Sequence, residues 1–376
     1  MKNTEETPGG FAGRHKPRIL VSGGGTGGHI FPALSIADEL RNRLGAEILF
    51  VGAENRMEMT RVPEAGYKII GLPVAGFDRK NLLRNFKVLS KLWSSMRKAK
   101  KIIKDFKPEV VVGVGGYASG PVLKAAQQAH IPTLIQEQNS YAGVTNKLLA
   151  KNADAICVAY DGMEKFFPAN KIIKTGNPIR QRLLEESRTK KVALESFGLS
   201  ADRPTLLVVG GSLGALTINE SMEKGLKNLV NHGIQVIWQT GKNFGNRGIE
   251  AAKGLKGVVV TPFISDMAAA YKTADLVVSR AGAASISELE ALGKPAILVP
   301  SPNVAEDHQT HNAMALSTQG AAVLVKDADA RETLVDEALN LLANPEKLKE
   351  MSQRISRLGI CDSAQKIGNE VVKLLK

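Results

Sequence analysis

The chain has 376 residues, 43% hydrophobic and 23% charged, with a formal net charge of +13. That length exceeds one ordinary core and suits two domains, and no apolar stretch reaches the roughly 20 residues a membrane-spanning helix needs. Cys157 and Cys361 lie far apart in no metal-binding spacing, which argues against a disulfide framework and for free thiols in a reducing compartment.

Residues 1–16 are polar, lack the apolar centre of a signal peptide and are expected to form a disordered tail. From residue 18 short β-rich runs alternate with helical patterns. RILVS (18–22) leads into a glycine cluster and then HIFPALSIADELRNRL; EILFVG (47–52), EVVVGVGG (109–116), TLIQEQN (133–139) and DAICVA (154–159) keep the rhythm. It restarts at TLLVVGGS (205–212) and runs through QVIWQT (235–240), GVVVTPF (257–263), DLVVSRAG (275–282) and PAILVPS (295–301). Strands alternating with helices predict parallel sheets covered on both faces. The restart predicts two doubly wound α/β domains in tandem, 17–176 and 177–359, divided near Thr175-Gly176-Asn177-Pro178, where glycine and proline break regular structure. Ligands of such sheets bind beyond the carboxyl ends of the strands. Two domains facing each other are therefore expected to form a cleft suited to a two-substrate reaction.

Three glycine loops fall at strand–helix junctions: Gly23-Gly24-Gly25-Thr26-Gly27-Gly28-His29, GGYASGP at 115–121, and Gly210-Gly211-Ser212-Leu213-Gly214-Ala215. Glycine lets the backbone approach a phosphate, and a helix N-terminus presents unpaired N–H groups to it. Three such loops suggest more than one phosphate group, as with a nucleotide diphosphate and a second diphosphate. Gly23, Gly25 and Gly28 also satisfy the dinucleotide fingerprint, with Glu54 just beyond the second strand. That leaves an NAD(P)-dependent oxidoreductase as an alternative, against which stand the surplus glycines, His29 and the loop in the second half. Asp327-Ala-Asp329 has the spacing of a metal-binding pair but reads as a helix N-cap region. No metal and no cofactor are expected.

The positive charge is concentrated in the first half, where residues 1–176 carry 26 Lys/Arg against 15 Asp/Glu. Eleven cations and a single acid, Asp105, lie between Arg79 and Lys107. Phe86, Leu89, Trp93 and Met96 share one helical face in this stretch and are expected to be mostly core. Phe77, Leu82 and Leu83 precede them in a loop ringed by cations, a pattern that suits partial insertion into an anionic leaflet. No nucleic-acid-binding module accompanies the charge, so nucleic acid is not expected as a partner.

GGGTGGH (23–29), GGYASGP (115–121), EQN (137–139), AGVTNK (142–147), TGNPIR (175–180), GGSLGA (210–215) and SRAGAASISE (279–288) occur in that order. Together they resemble the lipid I N-acetylglucosaminyltransferase family of peptidoglycan synthesis, over nearly the whole chain from residue 18. The resemblance implies a glycosyltransferase fold of the B type. Its N-terminal domain would take the lipid-linked muramyl-pentapeptide acceptor and its C-terminal domain UDP-N-acetylglucosamine, with the last helix, 360–376, packing back on the N-terminal domain. It further implies peripheral attachment to the cytoplasmic face of the inner membrane. A B-type transferase with another lipid acceptor is the nearest alternative.

Carried over residue by residue, the resemblance gives Glu288 the ribose hydroxyls, which suits a carboxylate accepting from both. Ser212 and the loop N–H groups around it, Gly214 among them, would hold the nucleotide phosphate, and Ala283 and Ala284 would also bind the donor. Arg180, Phe263 and Ile264 would border the uracil, and Gln309 would reach the sugar hydroxyls. Thr310 follows Gln309 where many relatives carry a second glutamine, and is too short to replace it. Thr26, Gly27, Gly28, Gly115, Gly116, Tyr117 and Asn139 would line the acceptor and phosphate loops, with Thr26, Gly27, Gly28 and Asn139 also reaching the donor. Forming a β-linkage from an α-linked donor inverts the anomeric carbon in one displacement and needs a general base, worth roughly 10²–10⁴ in rate. His29, ending the first glycine loop, and Glu137, at a strand's carboxyl end, are the two candidates.

Overall fold

Strands β1 (Arg18–Ser22), β2 (Glu47–Ala53), β3 (Lys68–Leu72), β4 (Val110–Gly113), β5 (Thr133–Glu137), β6 (Ala155–Val158) and β7 (Ile172–Lys174) form one all-parallel sheet in the order β3-β2-β1-β4-β5-β6-β7. A second parallel sheet is built from β8 (Thr205–Val209), β9 (Gln235–Gln239), β10 (Val258–Thr261), β11 (Leu276–Ser279), β12 (Ala296–Leu298) and β13 (Val323–Leu324), in the order β10-β9-β8-β11-β12-β13. These come from a computed structural model that describes residues 16–25, 27–74, 85–211 and 213–375, with backbone alone at 85–89 and 305. The chain divides into two units, one of Met1–Gln138, Ala142–Thr175 and Asp362–Lys376, the other of Asn139–Tyr141 and Gly176–Cys361. Both are doubly wound α/β structures, as the restarting strand rhythm predicts.

In the first unit every inner strand is apolar on both faces because helices cover both. Successive side chains point to opposite faces, and the core sorts accordingly. Ile19, Val21, Phe50 and Val112 pack under the helix Gly27–Leu44 through Ile36 and Leu40, joined by Ile367 and Val371 of the terminal helix Ser363–Leu374. Leu20, Val51, Val111 and Ile135 face the other way, toward Ala99, Leu123 and Leu149 of the helices Asn85–Phe106, Ser119–Gln128 and Val144–Ala150. In the second unit Val208, Val236, Trp238 and Val278 pack against Ile218 and Met222 of Leu216–Asn231 and Leu334 of Ala330–Leu342. Trp238 is wholly buried, and its Nε1–H is satisfied by Asn219 Oδ1 at 3.0 Å.

The strand rhythm misses β3 and β7, the two edges of the first sheet. An edge strand has one neighbour and less cover, so its apolar run is short and broken by residues such as Lys68, Gly71 and Lys174. The helix Asn85–Phe106 also departs from expectation. Its buried side runs through Ser95, Ala99, Ile102 and Ile103 with Met96 partly covered, and it ends there: Leu92 and Trp93 are exposed, Trp93 by 69%. Of the apolar stripe read as mostly core, Met96 is partly covered and Trp93 is not, and Arg97 lies over the indole at 5.9 Å; the side chains of Phe86 and Leu89 lie outside the described residues. The loop with Phe77, Leu82 and Leu83 lies outside the described residues, as does the tail 1–15.

Candidate active site

The strand order of the first sheet reverses between β1, which leads to β2 on one side, and β4, which leads to β5 on the other. A crevice opens at such a switch point, because the loops leaving the two strands diverge. The first glycine loop follows β1 and the second follows β4, so adjacency of the strands brings the loops together. They meet backbone to backbone: a Cβ on Gly116 would lie 2.4 Å from Gly24 O, and Gly115 and Gly116 have φ of +88° and +86°. Ser119 Oγ, 2.8 Å from the carbonyls of both Ser22 and Gly115, ties the two loops. Gly27, Gly28 and His29 form the first turn of Gly27–Leu44, where backbone N–H groups lack helical partners. The imidazole of His29 lies against the second loop, 2.8–2.9 Å (Cδ2, Nε2) from where a Gly115 Cβ would stand. Tyr117 is exposed on the same loop. Thr26 lies outside the described residues.

Glu137 ends β5, next to β4, with 2% of its surface exposed. Its Oε2 accepts from Gly143 N at 3.0 Å and Asn146 Nδ2 at 2.8 Å. Two motifs of the sequence, EQN and AGVTNK, are therefore joined by this one carboxylate. The neighbouring Gln138 donates to Val114 O at 2.9 Å and so braces the second glycine loop. Asn139 belongs to the second unit, where its Oδ1 accepts from Asn312 Nδ2 at 3.2 Å.

The second sheet reverses between β8 and β11, and again the motif residues sit on the loops that leave the reversing strands. After β8, Gly214 lies so close to the β9 loop that a Cβ would stand 2.1 Å from Thr240 O. Asn219 Nδ2 holds the same carbonyl at 2.8 Å, and Gln239 Nε2 holds Gly211 O at 3.0 Å. Ser212, between them, lies outside the described residues. After β11, Gly282 caps the helix Ala283–Ala291, whose first turn carries Ala283 and Ala284, side chains small enough to leave its open N–H groups within reach. Glu288 follows on the same helix, 8% exposed.

Arg180 Nε and Nη2 both reach Glu288 Oε1, and Tyr271 Oη donates to Oε2 at 3.1 Å. Burial pushes the Glu288 carboxyl above its ordinary value even with Arg180 pulling it down, and burial together with the Glu288 charge holds the Tyr271 phenol well above its own. Asn177 Nδ2 bonds Ser287 Oγ at 3.0 Å, so TGNPIR packs along the helix of SRAGAASISE. Phe263 is exposed after β10 and Ile264 is buried beside it. Gln309 is oriented by Ser301 N, which donates to its Oε1 at 2.8 Å. Thr310 Oγ1 bonds Asp307 Oδ1 at 2.7 Å and so serves the turn. Asp327 of the Asp-Ala-Asp pair is taken by Arg280 and by Thr217 Oγ1, and Asp329 precedes Ala330–Leu342 without a side-chain cap bond.

Two residues of these sites carry no sequence signal. Tyr271 reads as part of an alanine-rich helix, and Glu58 as an ordinary acid in a helix's first turn. Both are buried and bonded to motif residues. Glu54, the acid of the dinucleotide reading, pairs instead with Lys98 at 2.9 Å.

Two parallel-sheet units, each with a glycine loop at its switch point, are the architecture of the glycosyltransferase fold of the B type. The description of the glycosyltransferase family 28 N-terminal domain matches residues 19–158 and that of its C-terminal domain residues 205–367. A protein of Bacteroides thetaiotaomicron named UDP-N-acetylglucosamine–N-acetylmuramyl-(pentapeptide) pyrophosphoryl-undecaprenol N-acetylglucosamine transferase is 61% identical over 362 residues, covering 95% of this chain and 97% of that protein. A protein of the same name from Phocaeicola vulgatus is 61% identical over 361 residues, covering 95% and 96%. Among solved structures, Acinetobacter baumannii MurG superposes with a TM-score of 0.77 at 30% identity, covering 95% of this chain and 99% of that one. The chain belongs to glycosyltransferase family 28, in the branch of these N-acetylglucosamine transferases. Nothing in these similarities supports the oxidoreductase alternative.

Proposed function

We propose that the chain transfers N-acetylglucosamine from UDP-N-acetylglucosamine to undecaprenyl-diphospho-muramoyl-pentapeptide, inverting the anomeric carbon. The observation that carries this reading is that each unit has its own glycine loop at its own switch point, the first with His29 and the second with Glu288. The second unit takes the donor: Glu288 accepts from the ribose hydroxyls, Arg180, Phe263 and Ile264 border the uracil, the loop 210–215 and the first turn with Ala283 and Ala284 meet the diphosphate, and Gln309 meets the sugar. The first unit takes the acceptor diphosphate on Gly27, Gly28, Gly115 and Gly116.

In the chemical step the acceptor hydroxyl oxygen bonds to the anomeric carbon as that carbon's bond to the UDP phosphate oxygen breaks. Its proton passes to the base, and the electron pair leaves on the diphosphate. We assign the base to His29, whose ring lies at the meeting of the two loops. Glu137 is assigned the positioning of the EQN–AGVTNK loop, because its Oε2 is engaged by Gly143 and Asn146. Helix N-termini oppose the developing charge on the leaving group.

The acceptor is a lipid, and no helix among the described residues is long and apolar enough to cross a membrane. From the lipid acceptor and the nucleotide-sugar donor of this reaction we place the protein at the cytoplasmic face of the inner membrane as a peripheral protein. Exposed Leu92 and Trp93, flanked by Lys91 and Arg97, support docking of the basic region Arg79–Lys107 on an anionic leaflet. The test of the reaction is incubation with UDP-N-acetylglucosamine and a soluble lipid I analogue. Release of UDP with formation of the disaccharide is expected. Transfer to a diacylglycerol lipid and not to the analogue would overturn the acceptor assignment.

A further inference from the structure

A wholly buried carboxylate lies beneath the first glycine loop. Glu58 opens the helix Glu58–Glu64 with none of its surface exposed. Its Oε2 accepts from Gly25 N, within the loop, at 2.9 Å, and its Oε1 accepts from Ala53 N, at the end of β2, at 2.9 Å. A buried carboxylate is costly unless its oxygens are hydrogen-bonded, and here both are, to backbone groups that belong to different parts of the chain.

The loop's glycines are shaped around this side chain. A Cβ on Gly24 would lie 2.1 Å from Glu58 Oε1, and one on Gly52 would lie 2.5 Å from its Cγ. Gly24 is surplus to a phosphate-binding fingerprint, and the carboxylate explains it: the residue is glycine because Glu58 passes over it. From there the contacts continue without slack. Gly24 O is met by Gly116, and Gly115 by the ring of His29. Movement of Gly25 would therefore be transmitted to both glycine loops and to His29. The Gly25 N–H is also spent on Glu58.

We infer that Glu58 is a positioning residue for the transfer reaction: its two hydrogen bonds set the path of the first glycine loop and thereby the placement of His29. This rests on the reading of that loop as the acceptor-diphosphate site with His29 as base. Because both carboxylate oxygens accept an N–H, Glu58→Gln places an amide N–H₂ against one of two backbone donors while keeping size and shape.

The test is steady-state kinetics of the full chain carrying Glu58→Gln, with the lipid I analogue and UDP-N-acetylglucosamine. The expected result is a kcat at least tenfold lower, with the KM for UDP-N-acetylglucosamine and the calorimetric affinity for UDP changed less than twofold. A purely structural role would lower the melting temperature and leave kcat per folded molecule unchanged, and that result overturns the inference. Gly24→Ala supplies an independent variant, since its Cβ displaces the carboxylate without altering it. It should reproduce the same split between kcat and donor KM, and the double variant should be no slower than the slower single one. Additive losses would overturn the inference, and should Glu58→Gln not fold, Gly24→Ala decides by its own kcat and donor KM. His29→Ala separates the two levels. If it leaves kcat intact, the reading of the loop fails; if it abolishes turnover while Glu58→Gln and Gly24→Ala do not slow it, only the role of Glu58 fails.

Discussion

Arg180 and Glu288, 108 residues apart in the chain, form an ion pair in which Nε and Nη2 of the guanidinium both reach Oε1, at 2.9 and 2.8 Å. The other oxygen is held by the buried Tyr271. Tyr271 therefore fixes the plane of the carboxylate from inside, while Arg180, 41% exposed, covers it from the solvent side. A ribose that bonds Glu288 must share or displace the exposed partner and keep the buried one.

Glu288→Ala is expected to weaken UDP binding at least about tenfold, since hydrogen bonds to a charged group contribute roughly 1.5–3 kcal/mol. Tyr271→Phe should weaken it by a smaller factor, because the ribose contacts survive on a less firmly held carboxylate. Arg180→Ala should cost less than Glu288→Ala, and the double variant should lose less affinity than the two single losses together, as residues in direct contact couple. Calorimetric titration with UDP decides all four, and unchanged affinity in Glu288→Ala would remove the ribose assignment.

Glu137 offers a sharper chemical distinction. A carboxyl side chain that positions a loop by accepting from Gly143 N and Asn146 Nδ2 keeps those bonds when one oxygen remains. Glu137→Gln should accordingly retain kcat within about tenfold of the wild type, whereas Glu137→Ala, which leaves both donors without this acceptor, should fall further. A general base loses its function equally in both substitutions, with losses of the order of 10²–10⁴. Equal, deep losses in Gln and Ala variants would move the base from His29 to Glu137.

The legible parts of this fold are those where one physical demand acts on consecutive residues. Inner strands such as Ile19–Val21 and Val110–Val112 need apolar side chains on both faces, and the loops beyond β1, β4 and β8 need glycine, so both are visible as runs. The edge strands β3 and β7 of the first sheet meet that demand on fewer residues and pass unseen. Glu58 and Tyr271 are invisible for another reason: each acts through one partner distant in sequence, and single residues carry no period. Trp93 shares the helical face of Met96 yet lies outside the core, because i, i+3, i+7 spacing shows that residues share a face and is silent on how far along the helix the sheet extends.

Lys294 gives the second unit a pH signature. Burial, with the nearby Lys190 charge, brings its ammonium down from 10.5 to about 8, while Nζ donates to Ala274 O at 2.9 Å. With the folded value below the unfolded one, the unfolded chain holds the extra proton between those limits, so stability rises with pH across that window. Below about pH 8 the cost of burying the charge is felt in full. Lys294→Met removes this term. The melting temperature of the variant minus that of the wild type should therefore fall steadily from pH 8 to pH 10, and a difference independent of pH would show that Lys294 is not buried as a cation.

Membrane docking is open to a test that leaves the core intact. Trp93 is 69% exposed and Leu92 lies beside it, so Trp93→Ala removes little packing and should change fold stability by no more than about 0.5 kcal/mol. On an anionic leaflet the same side chain would bury its ring at the interface, where full burial of a large apolar group contributes roughly 1.5–3 kcal/mol. Trp93→Ala should thus lower partitioning onto phosphatidylglycerol-containing vesicles by about tenfold or more. Lys91→Gln with Arg97→Gln removes two exposed cations, each contributing on the order of 1 kcal/mol near such a surface. Its effect should vanish at high salt, because surface charge is screened within about 8 Å at physiological ionic strength and more tightly above it. The effect of Trp93→Ala should persist there, being apolar in origin. Sedimentation of wild type and both variants with anionic and zwitterionic vesicles across a salt series reads these together. Equal co-sedimentation of all three at low salt would show that the exposed end of this helix serves another contact.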